Sequence, residues 1–126
     1  MATFSKLTLQ PTAGTIGTGL GIPVTATTSG SLGTVIHTGS ATATTIDEVW
    51  LYAVNYDTTD RKLTLQWGGV TAGTNEIEFT VKAENGLYLI APGLLLQGNA
   101  TNRVISAYAA TATAIVIHGY VNRITA

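Results

Sequence analysis

The chain has 126 residues, a length typical of one domain, and only 10% of them are charged, against roughly 25% in ordinary soluble domains. The formal net charge is −1, without the basic cluster that neutralises nucleic-acid phosphates, so we expect no nucleic-acid partner. No apolar run approaches the roughly 20 residues that span a membrane, and the absence of cysteine excludes disulfides, thiolate nucleophiles and cysteine–zinc sites.

Residues 1–33 differ in composition from the rest of the chain. They are dominated by Gly, Thr and Ser, and the stretch PTAGTIGTGLGIP follows neither a period of 3.6 nor a sustained period of 2. Single hydrophobic residues recur, as in an extended strip that docks on a surface: Phe4, Leu7, Leu9, Ile16, Leu20, Ile22 and Val24. We therefore predict an extended N-terminal arm over residues 1–33 and a separate domain over residues 34–126 that folds without the arm.

From residue 34 onward the sequence has a β pattern throughout. Turn signals such as DTTD (57–60) and the Asn-Gly pair of AENG (83–86) separate the strand candidates. The candidates are residues 34–38, 45–56, 61–67, 76–82, 87–90, 93–99, 103–109 and 114–124. Seven or eight short strands without a convincing helix predict an all-β fold, a single β-sandwich or jelly-roll-like domain.

The predicted strands fall into two classes according to the polarity of their faces. Residues 61–67 and 76–82 alternate between apolar and polar, as expected for a sheet with one face in solvent. Residues 45–56 and 114–124 are apolar on both faces. Their second face is covered either by the chain's own loops and N-terminal segment or by another subunit. Tyr and Trp favour the second alternative, because they bury area while keeping a polar tip. The predicted interface residues are Trp50, Tyr52, Tyr56 and Tyr120.

No set of side chains matches a catalytic or metal-binding motif. His37 and His118 follow similar apolar runs, but no HxH or HExxH spacing is present. We therefore expect solvated or hydrogen-bonded strand histidines, no metal and no cofactor. Asp57 and Asp60 flank a turn, which favours turn formation over a paired-carboxylate hydrolase. The stretch GTIGTGLG (14–21) lacks the helix and the lysine of a phosphate-binding loop. An enzyme is therefore the least favoured class, and we name no catalytic residue.

Three blocks of the chain resemble small structural proteins of tailed bacteriophage virions. The blocks are DEVWLYAVNYDTTDRKLTLQWGG, AENGLYLIAPGLLLQG and the ending GYVNRITA, in a Thr/Gly/Ala-rich chain without cysteine. Within that class the chain is most similar in style to capsid decoration, or cement, proteins. The resemblance implies a homotrimeric β-domain on the shell, an N-terminal arm along the capsid surface and the major capsid protein as partner. It also implies a location in the virion after synthesis in the bacterial cytoplasm.

These observations lead to the hypothesis of a non-enzymatic virion protein that binds and reinforces a capsid as an oligomer. The predicted capsid contacts are Phe4, Leu7, Leu9, Ile16, Leu20 and Ile22. One alternative is a neck, tail or baseplate component. Another is a receptor- or glycan-binding module on a tail or fibre, which would use exposed aromatic residues. The position of the chain on the particle separates these hypotheses.

Overall fold

A computed structural model describes residues 2–126, which form nine β-strands and no helix. The strands are β1 (Thr3–Thr8), β2 (Ile22–Pro23), β3 (Thr34–Thr38), β4 (Thr45–Asn55), β5 (Arg61–Trp67), β6 (Glu76–Val81), β7 (Tyr88–Gln97), β8 (Val104–Ala109) and β9 (Ile115–Thr125). They build two antiparallel sheets that pack face to face. The prediction of an all-β, sandwich-like fold is confirmed.

The two strands with apolar residues on both faces are the centre of the first sheet. That sheet has the order β1-β9-β4-β7, with β2 also paired to β9, and the second has the order β3-β8-β5-β6. Strands β4 and β9 have 11 residues each and pair without a register shift from Thr45–Thr125 to Asn55–Ile115. The pairing of β4 with β7 has two irregularities, one of them next to Trp50.

The inward faces of both sheets form one hydrophobic core. Since successive side chains of a strand point to opposite faces, every second residue of β4 is directed inward. The fully buried aliphatic residues come from both sheets and include Ile36, Val49, Leu51, Leu63, Leu65, Ile105, Ile115 and Ile117. Burying a side chain of this size stabilises the fold by about 1.5–3 kcal/mol relative to leaving it exposed.

The structure does not confirm a separate arm over residues 1–33. Strand β1 pairs with β9 over its whole length, and β2 pairs with Ile117 and Val116 of the same strand. Leu9 and Val24, 5% and 0% exposed, belong to the core. The isolated hydrophobic residues of this segment therefore belong partly to two short edge strands. Others enter the core at the points where the chain leaves the edge of the sheet.

After each of these pairings the chain passes from the first sheet to the second. The amide of Thr38 in β3 donates to the Gln10 carbonyl at 2.7 Å, and the Thr38 hydroxyl donates to the Pro11 carbonyl at 3.2 Å. Further along, the amide of Ala109 in β8 donates to the Ala26 carbonyl at 3.0 Å. The N-terminal segment thus connects the two sheets by backbone hydrogen bonds.

Candidate interaction surface

The outer side of the first sheet is unusually apolar for a face turned away from the core. The even-numbered residues of β4 stand opposite outward residues of β9, and all of them are partly exposed. The pairs are Ile46–Ile124, Glu48–Asn122, Trp50–Tyr120, Tyr52–His118 and Val54–Val116. The double apolar pattern of β4 and β9 thus has one face in the core and the other at the surface of this chain.

Aromatic side chains at the centre of this side are held in fixed orientations. The rings of Trp50 and Tyr120 stack with centroids 6.2 Å apart and planes at 8°, and the Lys6 ammonium lies 4.9 Å from the Tyr120 centroid. Trp50 Nε1 and Asn122 Nδ2 donate to Glu48 Oε1 at 2.7 and 3.0 Å. These two hydrogen bonds lower the pKa of Glu48, because they favour its ionised form. Fixed orientation reduces the entropy lost on binding a partner.

Exposed residues on the two flanking strands widen the apolar area. Phe4 of β1, opposite Ile124, is 74% exposed, and Leu95 of β7, opposite Glu48, is 57% exposed. We call this surface the outer face; its apolar residues are Phe4, Ile46, Trp50, Tyr52, Val54, Leu89, Leu95, Val116, Tyr120 and Ile124. Monomeric proteins rarely expose large contiguous apolar patches, and such patches mark interaction sites.

Three of the four residues predicted as a subunit interface lie together on the outer face: Trp50, Tyr52 and Tyr120. Tyr56 lies just beyond the end of β4, where its amide donates to the Ala114 carbonyl and its side chain is 70% exposed. Trp50 and Tyr52 share this face because of the two-residue period of β4, and Tyr120 joins them because it pairs with Trp50 across the strands. Their role as an interface stays a prediction.

The six residues predicted as capsid contacts occupy two environments. Phe4, Ile16 and Leu20 are 74%, 81% and 73% exposed. The remaining three lie in this chain's own core or pack against it: Leu7, Leu9 and Ile22. Only the first group therefore has side chains that are free to contact another protein.

A buried cluster of ionisable side chains between the sheets was missed by sequence reasoning. Asp47 of β4 is 1% exposed, and it accepts from Arg123 Nε and Nη2 of β9 at 2.7 and 2.9 Å. His37 of β3 lies in the opposite sheet, with Nε2 at 2.8 Å from Asp47 Oδ2. Its Nδ1 accepts the Gln10 amide N–H at 3.0 Å, so the proton of the neutral ring is on Nε2 and is donated to Asp47.

The geometry of this cluster indicates a structural role. Both ring nitrogens of His37 are engaged, so His37 cannot take a proton from a nucleophile or bind a metal without losing a hydrogen bond. Burial raises the pKa of Asp47, but the hydrogen bonds from Arg123 and His37 outweigh burial and hold the pKa below its ordinary value. The sequence did contain a signal for this cluster. Asp47 has the same odd-numbered position in β4 as the core residues Val49 and Leu51, so its side chain points inward, and a buried charge requires partners.

The other carboxylates singled out from the sequence stabilise turns. Asp57 accepts the amide of Thr58 at 2.7 Å and pairs with Arg61. Asp60 accepts the amide of Ala83 at 2.9 Å and Lys82 Nζ at 3.1 Å. No group of three or more His, Asp or Glu residues suited to a metal ion occurs among residues 2–126.

Chelation should leave the stability of this protein unchanged. Because both nitrogens of His37 are hydrogen-bonded within the chain, we expect the melting temperature to be the same with and without EDTA. The measurement is thermal unfolding followed by circular dichroism. A decrease of many degrees on adding EDTA would establish a metal site and contradict the structural role of the histidine.

Comparison with known proteins found no family that matches the chain, and no match among curated proteins or solved structures. Within the part of the chain that the structure describes, no helix is long and apolar enough to cross a membrane. A functional hypothesis for this chain therefore rests on its surfaces and its sequence blocks.

Proposed function

We propose that this protein is a non-enzymatic structural protein of a bacteriophage virion, which binds the capsid as an oligomer and reinforces it. The observation that carries the proposal is the outer face, a platform of two long paired strands that presents aromatic and aliphatic side chains to the surroundings. The three blocks that resemble phage structural proteins include most of β4, all of β7 and the C-terminal part of β9 from Gly119 onward. The low charge of the chain leaves little electrostatic repulsion between copies.

In this proposal the outer face joins subunits, in a homotrimer as the resemblance implies, and the major capsid protein is the partner. Phe4 lies on the edge of that face, whereas Ile16 and Leu20 project from the loop between β1 and β2 and are the capsid-contact candidates. A protein that binds only the assembled shell stabilises the shell by mass action. Several weak contacts on one oligomer reinforce one another through effective concentration.

A glycan-binding module is the less favoured alternative, because the best stacking surface is already occupied. The Trp50 ring stacks on Tyr120, and a Cβ at Gly93 would lie only 3.1 Å from the ring, so the backbone of β7 also packs against it. A sugar ring would have to displace one of these contacts. A neck, tail or baseplate component would use the same outer face and differs only in its location on the particle.

Electron microscopy of the native particle tests the location directly, and sedimentation tests the oligomer. We expect the isolated protein to be an oligomer at micromolar concentration and Tyr52→Asp to shift it toward monomer, because a charge would be buried at the contact. The control is Thr80→Asp on β6, where the side chain is exposed on the polar face of the strand. A wild-type protein that sediments as a monomer would rule out the outer face as a subunit contact.

A further inference from the structure

The segment between β6 and β7 contains the one Asn-Gly pair of the sequence, Asn85–Gly86. The pair lies outside the strands, because β6 ends at Val81 and β7 begins at Tyr88. Both of its residues are exposed. The other five asparagines are each followed by a residue with a side chain: Asn55, Asn75, Asn99, Asn102 and Asn122.

The side chain of Asn85 is not held in place. It has no hydrogen-bond partner among residues 2–126, whereas four of the other five asparagines have one. Asn99 is an exposed example, since its Oδ1 accepts the amides of Thr101 and Asn102 at 2.9 and 3.2 Å. The remaining three bonded asparagines are Asn55, Asn75 and Asn122. The Asn85 side chain can therefore rotate without breaking a contact of the fold.

The backbone that follows Asn85 is equally open. Gly86 has a φ of 67°, and a Cβ placed there would have no heavy atom of another segment within 4 Å. Its amide N–H has no acceptor in the part of the chain that the structure describes. Without a Cβ of its own, Gly86 leaves the approach of its amide nitrogen to the neighbouring side chain unhindered.

We propose that Asn85 is a site of spontaneous deamidation. The Gly86 amide nitrogen attacks the side-chain carbonyl carbon of Asn85, so that one C–N bond forms and the bond to the side-chain nitrogen breaks. That nitrogen leaves as ammonia and takes the proton of the Gly86 amide with it. Water then opens the five-membered imide at either carbonyl and gives aspartate or isoaspartate. The reaction needs water and no other reagent.

The product carries a negative charge into an uncharged part of the chain. Residues 85–102 contain no charged side chain. The new carboxylate follows Glu84 and lies two residues before Leu87, which is 61% exposed, and four before Leu89 of the outer face. A charge beside an apolar contact opposes its burial. This effect on association rests on the proposed role of the outer face, whereas the deamidation itself does not.

The test is incubation of the folded protein in a mildly alkaline buffer, followed by peptide mapping with mass spectrometry. We expect Asn85 to convert at least about tenfold faster than any other asparagine of the chain. Isoaspartate, detected with an isoaspartyl methyltransferase, should accompany aspartate, because direct hydrolysis of the side-chain amide gives aspartate alone. The rate should rise with pH, since the attacking amide nitrogen must lose its proton.

A peptide and two variants connect the reaction to the structure. A synthetic peptide of residues 81–90 gives the rate without a fold, and the folded protein should react within about tenfold of it. Asn85→Gln is the matched control: it keeps an amide but requires a larger ring, so position 85 should yield no isomerised product. Asn85→Asp, which carries the charge of the product, should weaken the oligomer. A monomeric wild type would contradict the outer face as a contact and leave the deamidation result intact.

The proposal is wrong if the folded protein reacts more than about tenfold slower than the peptide, because the fold would then protect the site. It is also wrong if another asparagine reacts as fast as Asn85, or if aspartate forms at this position without isoaspartate.

Discussion

A chain without residues 2–24 should fail to fold, and far-UV circular dichroism should show the loss of its β signal. The deletion removes β1 and β2, so that β9 loses its partner along one edge, and it takes Leu9 and Val24 out of the core. It also removes the Gln10 backbone groups that bond to Thr38 and His37. Together these losses are comparable to the roughly 5–15 kcal/mol of stability that ordinary domains have.

Single substitutions in the same segment test whether its buried side chains, and not only its length, stabilise the fold. Leu9→Ala should reduce the free energy of unfolding by about 2–5 kcal/mol, because Leu9 is buried in the core. The same change at Leu20, which is 73% exposed, should cost no more than about 0.5 kcal/mol. Urea denaturation measures both values. If the truncated chain retains a cooperative transition, residues 2–24 are not needed for folding, as the prediction of a separate arm requires.

Asp47→Asn should reduce the free energy of unfolding by about 3–5 kcal/mol, one of the largest losses expected from any single substitution here. The neutral amide leaves Arg123, which is only 22% exposed, without its counter-charge and gives the His37 Nε2–H a poorer acceptor. Asp60→Asn is the matched control: it changes a solvent-exposed pair with Lys82, which water and salt screen, so the stability loss should be far smaller than in Asp47→Asn. Equal losses in the two variants would contradict a special role for the buried cluster.

The loss in Asp47→Asn should depend on pH in a defined direction. Because the pKa of Asp47 is lower in the folded protein than its ordinary value of 3.8, the carboxylate stabilises the fold fully above that value. Its contribution disappears as the pH falls through the folded pKa. The difference in unfolding free energy between wild type and variant should therefore be constant near neutral pH and shrink in acid below 3.8. A difference that persists unchanged into strong acid would show that Asp47 acts through shape and not through charge.

Local sequence was sufficient to identify most strands and the two faces of β4. In β4 the period of two placed Trp50 and Tyr52 on one face and Val49 and Leu51 on the other, because neighbouring side chains of any strand point in opposite directions. The turn at residues 57–60 followed from the tendency of Asp to bond nearby backbone. These properties depend on a few adjacent residues, so the sequence alone determined them.

Tertiary structure alone decided which distant segments became neighbours. Arg123 and Asp47 are 76 positions apart, and they meet because β9 lies beside β4 in register. The pairing of β1 with β9 could not be predicted from the sequence either. The six residues of β1 have no hydrophobic period that distinguishes an edge strand from an extended arm. Backbone hydrogen bonds between strands are the same whatever the side chains, so they do not determine which strands become neighbours. The order of the strands is determined only when the whole core is packed. The inclusion of residues 2–24 in the sandwich and the buried ion cluster both follow from that order.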